Sequence, residues 1–484
     1  MTTLRIGDEP LTPAAVAAAS RSAGVRIELS DAARDRMATA YRTAQDVAKR
    51  RRVYGLTTGV GANRHVDVEA GEARGHSVRL LRSHAGGVGT PLPDELVRGT
   101  ILVRLAQMAA GGGAHRPEVA DALAAVPGHG PLPVLRNLGS IGTGDLTLLA
   151  QLALALAGEG EWSRQGRATP PRLEIDRGDA LPFMSSNAAT FAGATLAWSD
   201  LRELLAAGLG VAALTFCALQ GNREAFAAPI CAARPLPGLV AVSERLHALT
   251  QGAPEPARVQ DPFALRCLPP VAGALHDALA GLHDVLEVEI NSSAENPLIA
   301  DGEVLHHGGF HAATCALALD GLRLALVPFA GLSAARLTHL MAPGLTGLPQ
   351  FLAVDAPGSS GVLIAEYLAA DALARLRADA APVVLGSVAI SRGLEEHASF
   401  AWQAAGHARQ AVSNLRTVLA LEWVVAERAL RMKDVPSTGV LAPARALAED
   451  FDTRLEDRPI GGDAERAVAA LPALAAVVRG AASG

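Results

Sequence analysis

Along most of this chain apolar residues recur at helical rather than alternating spacing. Ala33, Met37, Tyr41 and Val47 follow Ser30 on one helix face, and Ser30 is a residue type that caps helix starts. The run Leu146 to Ala157 is almost wholly apolar, with Asp145 before it as an N-cap or first-turn acid. Beyond about residue 193 the pattern lengthens, predicting helices over roughly 196–222, 271–289, 312–340 and 397–432. The second of these carries Val271, Leu275, Leu279, Leu282 and Leu286 between Pro269-Pro270 and Asn296-Pro297. The last has no proline and only Gly406, and at 1.5 Å per residue would extend about 50 Å. Glycine-rich connections at 54–61, 83–89 and 111–113, then a Pro/Gly stretch at 127–144, break up the earlier part. The expected architecture is mostly α. A loop-rich N-terminal lobe (1–192) sits on a bundle of long helices (193–484) whose excess apolar face suits subunit packing.

Composition narrows the function. Of 484 residues, 50% are hydrophobic and 19% charged, which excludes disorder, and aromatics at 4% favour packed helices over a β-sandwich. Net charge is −6 with no long basic block, so nucleic acid is not an expected partner. Cys217, Cys231, Cys267 and Cys315 form no C-x-x-C pair, which argues against a disulfide framework or zinc ribbon. The uncharged runs Ala180–Ser199 and Leu204–Asn222 approach membrane-span length but contain polar residues, and read as buried segments. With Asp8 and Glu9 where a signal peptide would be apolar, a cytoplasmic, soluble protein is expected. The two lysines, Lys49 and Lys433, both lie in charged runs and read as solvated, so a pyridoxal phosphate aldimine is not expected.

Generic motifs fail. Gly59-Val60-Gly61 lacks the third glycine of a dinucleotide fingerprint, and neither a P-loop nor a G-x-S-x-G elbow is present. His306, His307 and His311 could suggest a metal, but Gly308-Gly309 breaks the helix that would align them, so no metal is expected. What remains is a series of polar residues in glycine- or proline-bounded turns: Tyr54, His84, the loop Gly139–Asp145, Asn187, Gln260 to Arg266, Phe310-His311 and Glu395-Glu396-His397.

In this order the series resembles the histidine/phenylalanine/tyrosine ammonia-lyase and aminomutase superfamily, closest in pattern to bacterial histidine ammonia-lyase, from Leu11 to beyond Arg431. Tyr54-Gly-Leu-Thr-Thr-Gly-Val-Gly61 resembles the family's Tyr-Gly-x-Asn-Thr-Gly-x-Gly, and Ser83-His84-Ala-Gly-Gly-Val-Gly89 its Ser-His-Ala-x-Gly-x-Gly. Gly158-Glu159-Gly160-Glu161, Gln260-Asp261-Pro262, Asn296-Pro297-Leu298 and Phe310-His311-Ala312 follow in family order. The resemblance implies the ammonia-lyase (fumarase/aspartase-like) helical architecture, a homotetramer whose active sites are shared between subunits, and a small amino acid or related acid as substrate. It also implies an electrophilic 4-methylideneimidazol-5-one made by cyclising and dehydrating an internal Ala-Ser-Gly. Residue by residue, Tyr54 matches the base that takes the β-proton, which needs a pKa tuned downward. Arg266 matches the arginine that grips the substrate carboxylate, Asn187 the asparagine of Asn-Gly-Thr, and Phe310 the aromatic that walls the electrophile. His84 with Glu395 resembles the histidine-selective members. An ion pair between Glu395 and Arg392 is the plain alternative.

The chain departs from the family where the prosthetic group should arise. Gly139-Ser140-Ile141-Gly142-Thr143-Gly144-Asp145 is one residue shorter than the family loop, and in register Gly142-Thr143-Gly144 replaces Ala-Ser-Gly. Dehydrated threonine would place a methyl where the amine must attack, and the shorter loop changes the strain that drives cyclisation. The intact group is therefore not expected, and Gly142-Thr143-Gly144 is its candidate source. Phe263 replaces a family tyrosine beside Gln260, and Gly393-Leu394-Glu395 replaces Asn-Gln-Glu. Three readings stand. The first is elimination of ammonia, or a 2,3-amine shift, on a histidine-like or aromatic amino acid. The second is Tyr54-based elimination, isomerisation or cyclisation of a specialised metabolite without the prosthetic group. The third is a non-catalytic paralogue.

Overall fold

The computed structural model describes residues 2–126, 130–163, 170–354, 357–437 and 439–481; the first residues of the Pro/Gly stretch, 127–129, fall outside them. Ser30 caps as expected: its Oγ accepts the Ala33 amide hydrogen at 3.1 Å, opening a helix over Asp31–Ala48. Leu146–Ala157 is helical over the expected span and ends on Gly158 in the left-handed conformation that glycine adopts without strain. Asp145 precedes that helix without capping it through its side chain. Its carboxylate instead accepts hydrogen bonds from Ser140 Oγ (2.6 Å) and from Thr190 N and Oγ1 (both 2.8 Å).

The four long helices are Ala188–Leu219, Leu268–Asn291, Ala313–Leu340 and Ala401–Met432. The first starts earlier than its apolar pattern suggests, because the polar Thr190 is satisfied by Asp145 and does not interrupt it. The last starts at Ala401 rather than His397. Phe400 has φ +54°, its N–H donates to Ile141 O, and Ser399 Oγ donates to Gly142 O, so this segment is drawn off as a loop.

Strands are short. β1 (Thr2–Ile6) pairs in parallel with β2 (Val25–Leu29), Thr2 opposite Val25. β3 (Val88–Pro91) pairs antiparallel with β4 (Arg136–Leu138), and β5 (Leu298–Ala300) with β6 (Glu303–Leu305). The chain divides into two compact units. One contains 1–199, 283–319 and 382–406; the other contains 200–282, 320–381 and 407–484.

In the first unit, Ala40, Ala44 and Val47 of helix Asp31–Ala48 pack with Val53, Leu56, Ile299 and Val304. Val53 and Leu56 are 1% and 7% exposed, and burying side chains of this size contributes about 1.5–3 kcal/mol each. Both flank Tyr54, so this apolar cluster pins the segment that carries the tyrosine.

The second unit is organised around a fully buried ion pair. Glu422 receives two hydrogen bonds from Arg336 (2.6 and 2.8 Å), one from Thr215 Oγ1 (2.7 Å) and one from Ser333 Oγ (2.6 Å). Four donors on one carboxylate offset the cost of taking it out of water. Two helical stretches, Ala180–Leu219 and Ala313–Leu340, are long and apolar enough to cross a membrane, and their most apolar windows are 78% and 50% buried within the protein. The first is mainly core.

Candidate active site

A cavity of about 1480 Å³ lies within the first unit, and its lining includes Tyr54, Arg64, His84, Thr143, Phe310 and Glu395. Of the residues given a catalytic or substrate-binding role in the sequence, Tyr54, His84, Thr143, Phe310 and Glu395 line it, and so do the neighbouring His311, Glu396 and His397. Gly142, Gly144 and Asn187 stand just behind it. Gln260, Phe263 and Arg266 belong to the second unit and do not line this cavity.

Tyr54 is held at both ends. Its backbone N–H donates to His306 Nε2 (3.2 Å), and its hydroxyl accepts the Gly61 N–H at 2.7 Å. The second bond closes a turn that depends on Gly61, whose φ is +55°. Burial pushes the Tyr54 pKa above its ordinary value, and the charge of Glu395 adds to that; the Gly61 hydrogen bond and Arg64 pull the other way. The expected downward tuning of this tyrosine is therefore not supplied by the isolated chain, because desolvation outweighs the two groups that favour phenolate.

Glu395 sits in a bridge with Ile390, whose N–H donates to Glu395 O at 2.9 Å. A Cβ built on Gly61 would lie 3.7 Å from Glu395 Oε1, which places the carboxylate beside the Tyr54 turn. Among the described residues its carboxylate makes no ion pair or side-chain hydrogen bond, so the alternative pairing with Arg392 does not form. Arg392 itself has φ +60° within the preceding turn. His84 closes the helix Ala73–His84; its Nδ1 lies 2.9 Å from Leu80 O and 3.0 Å from Ser83 Oγ.

The shortened loop is tied on every side. Gly144 N–H donates to Asn187 Oδ1 (3.0 Å), and Asn187 Nδ2 donates to Phe310 O (2.6 Å), so both ends of this buried amide are used internally. Gly142 O accepts from Ser399 Oγ (2.7 Å) and from Ala312 N (3.4 Å). Gly142 has φ +81°, and a Cβ there would fall 2.1 Å from Ser399 Oγ and 2.7 Å from Ala401 N. The alanine of the family's tripeptide has no room here. Cyclisation would also need the Gly144 nitrogen as a nucleophile on the Gly142 carbonyl carbon, yet the Gly144 N–H is held by Asn187 Oδ1 and the Gly142 carbonyl by Ser399 Oγ. These residues do not fit the imidazolone.

The sequence passed over Arg64 and gave no role to His311 and His397, although it singled out both histidines. Arg64 lines the cavity from just beyond the turn closed by Tyr54, where its N–H donates to Gly61 O at 3.1 Å. His397 pairs with His311 at 2.9 Å between nitrogens, which only the fold brings together. The dismissed histidines also have partners: His307 Nε2 meets Glu295 O (2.7 Å) and its Nδ1 accepts from Gly309 N (2.9 Å). Behind the wall, fully buried Arg104 bonds Glu295 (2.8 Å), Pro182 O (2.7 Å) and Phe183 O (3.2 Å), fixing the backbone that leads to Asn187. His283, Asp284 and Glu287, away from the cavity on one helix, bring candidate metal-ligating atoms within 4.8 Å of one another.

In the second unit, Arg266 donates from Nε to Asp261 O (2.9 Å) and lies 4.4 Å over the ring of Phe263, which is 64% exposed. Neither lysine lines the cavity. Lys49 pairs with Asp46 at 2.7 Å, whereas Lys433 is half-buried rather than solvated, its pKa lowered by burial and by Arg258.

Residues 11–451 match the family model "Aromatic amino acid lyase". The chain is 36% identical to a histidine ammonia-lyase of Geobacillus thermodenitrificans over 419 residues, covering 82% of this chain and 83% of the relative. Tyrosine aminomutase from Streptomyces globisporus superposes with a TM-score of 0.91 at 25% identity, covering 100% of this chain and 99% of that one. The ergothioneine-degrading ergothionase of Treponema denticola, solved with desmethyl-ergothioneine sulfonic acid, shares the fold at a TM-score of 0.91 and 24% identity, over 98% and 99% of the two chains. The chain thus belongs to the aromatic amino acid lyase family, the carbon–nitrogen lyases that include histidine ammonia-lyase.

Proposed function

We propose that this chain eliminates the α-amino group of a histidine-like amino acid, with Tyr54 as the base. One observation carries the reading: Glu395, whose carboxylate makes no ion pair among the described residues, faces the same cavity as the Tyr54 hydroxyl and His84. An unpaired carboxylate suits an imidazole or other cationic side chain and is costly against a phenyl ring. A cation bound at Glu395 also offsets the charge that raises the Tyr54 pKa, so the substrate itself favours the phenolate. In the elimination the phenolate removes the β-proton and the C–H pair becomes the Cα–Cβ double bond. The C–N bond breaks with its pair going to nitrogen, so the ammonium leaves as ammonia.

The cavity is larger than the roughly 300–1,000 Å³ of ordinary small-molecule sites, which leaves room for segments of neighbouring copies. We assign Arg266 of a neighbouring copy in a homotetramer to the substrate carboxylate, where its fork gives bidentate binding, with Gln260 and Phe263 beside it. The test is a substrate panel with the purified protein, following both ammonia release and ultraviolet absorbance of the conjugated acrylic product. Turnover of imidazole-bearing amino acids is expected; turnover of L-phenylalanine or L-tyrosine alone, or of none, contradicts the assignment.

A further inference from the structure

The backbone groups at both ends of the tripeptide that borders the cavity are held by other parts of the first unit. Gly142 is held in a conformation natural to glycine, its carbonyl accepts from Ser399 and Ala312, and the Gly144 N–H is given to Asn187. Asp145, the next residue, is fixed by Ser140, Thr190 and its own N–H to Ser186 O at 2.6 Å. Only Thr143 is left over: it lines the cavity, and its hydroxyl has no hydrogen-bond partner among the described residues. Peptide nitrogens are poor nucleophiles unless strain takes them out of amide resonance, and here the two groups that would have to join, the Gly144 N–H and the Gly142 carbonyl, are each held by a separate partner, Asn187 and Ser399.

We propose that residues 142–144 remain an uncyclised, undehydrated peptide, and that Thr143 Oγ1 is a hydrogen-bonding hydroxyl of the cavity rather than the source of an alkene. The site then offers the departing nitrogen a secondary hydroxyl at the start of helix Leu146–Ala157 in place of an electrophile. Elimination proceeds from proton removal and leaving-group solvation, with no covalent adduct to the nitrogen.

The experiment reads the protein alone, so its result is independent of whether the substrate assignment holds. The purified full chain is weighed intact under denaturing conditions, and the peptide spanning 142–144 is fragmented. The encoded mass is expected, with backbone cleavage between 142 and 143 and between 143 and 144, and no mass gain after borohydride. A mass lower by one or two waters localised to this tripeptide, or uptake of hydrogen from borohydride, overturns the proposal. Thr143→Ser restores the family's residue type. It too should keep its encoded mass, because the loop geometry rather than the threonine methyl holds the peptide open; dehydration of Thr143→Ser would contradict that.

Discussion

Gly61 donates its amide hydrogen to the hydroxyl of Tyr54, seven positions earlier, across 2.7 Å, so that the phenol is fixed by its own segment. The hydroxyl thus reaches the cavity already oriented and accepting one hydrogen bond. Replacing it removes the proton acceptor without removing a core contact. Tyr54→Phe is expected to leave the far-ultraviolet circular dichroism unchanged and lower kcat by about 10²–10⁴-fold, the usual worth of a positioned base. Retention of more than a tenth of the wild-type kcat would remove Tyr54 from the chemistry.

The start of helix Asp31–Ala48 and the tyrosine segment could be read from the sequence because their causes are local. Ser30 needs only Ala33, three residues on, and Val53 and Leu56 declare their burial by type. The shape of the shortened loop could not be read, since it depends on Ser399, 257 residues from Gly142, and on Asn187, 43 residues from Gly144. Asp145 shows the same limit: it reads as a helix cap, but its carboxylate serves Thr190, 45 residues away. Arg266 is expected to bind substrate only by resemblance, and its unit in the fold differs from that of Tyr54.

Gly142 is required by conformation and by space together. Gly142→Ala combines a left-handed φ with a Cβ 2.1 Å from Ser399 Oγ. A loss of about 1–3 kcal/mol is expected from strain and displaced hydrogen bonds, read as a lower Tm. Ser399→Gly in the same chain should recover part of it by opening space; an unchanged Tm for Gly142→Ala would show that the loop has another shape.

Stability in the second unit rests on Arg336 and Glu422. Glu422→Gln leaves the guanidinium buried with no countercharge, and a loss of about 3–5 kcal/mol in urea unfolding is expected. Arg336→Met with Glu422→Leu should recover most of it, because two apolar side chains leave no charge to solvate. A double variant as unstable as the single one would contradict this.

Glu289 adds a pH dependence. Burial pushes its carboxyl up to about 7, above its ordinary 4.5, so the folded state holds the proton more tightly than the unfolded chain. Its contribution is fully present below pH 4.5 and is lost as pH rises through about 7. Glu289→Gln should flatten the fall in Tm between pH 5 and 8; an unchanged slope would place the dependence elsewhere.

Glu395 tests the account most directly, because one carboxylate is asked both to select the substrate and to hold up the tyrosine pKa. The measurement is kcat/KM against pH for an imidazole-bearing and a phenyl-bearing amino acid, in the wild type and in Glu395→Gln. Loss of the negative charge should lower preference for the imidazole substrate by about tenfold or more, the worth of roughly one charge-assisted contact. It should also move the rising limb of the phenyl-substrate profile to lower pH, since Glu395 raises the Tyr54 pKa. An unaltered preference together with an unmoved limb would contradict the account.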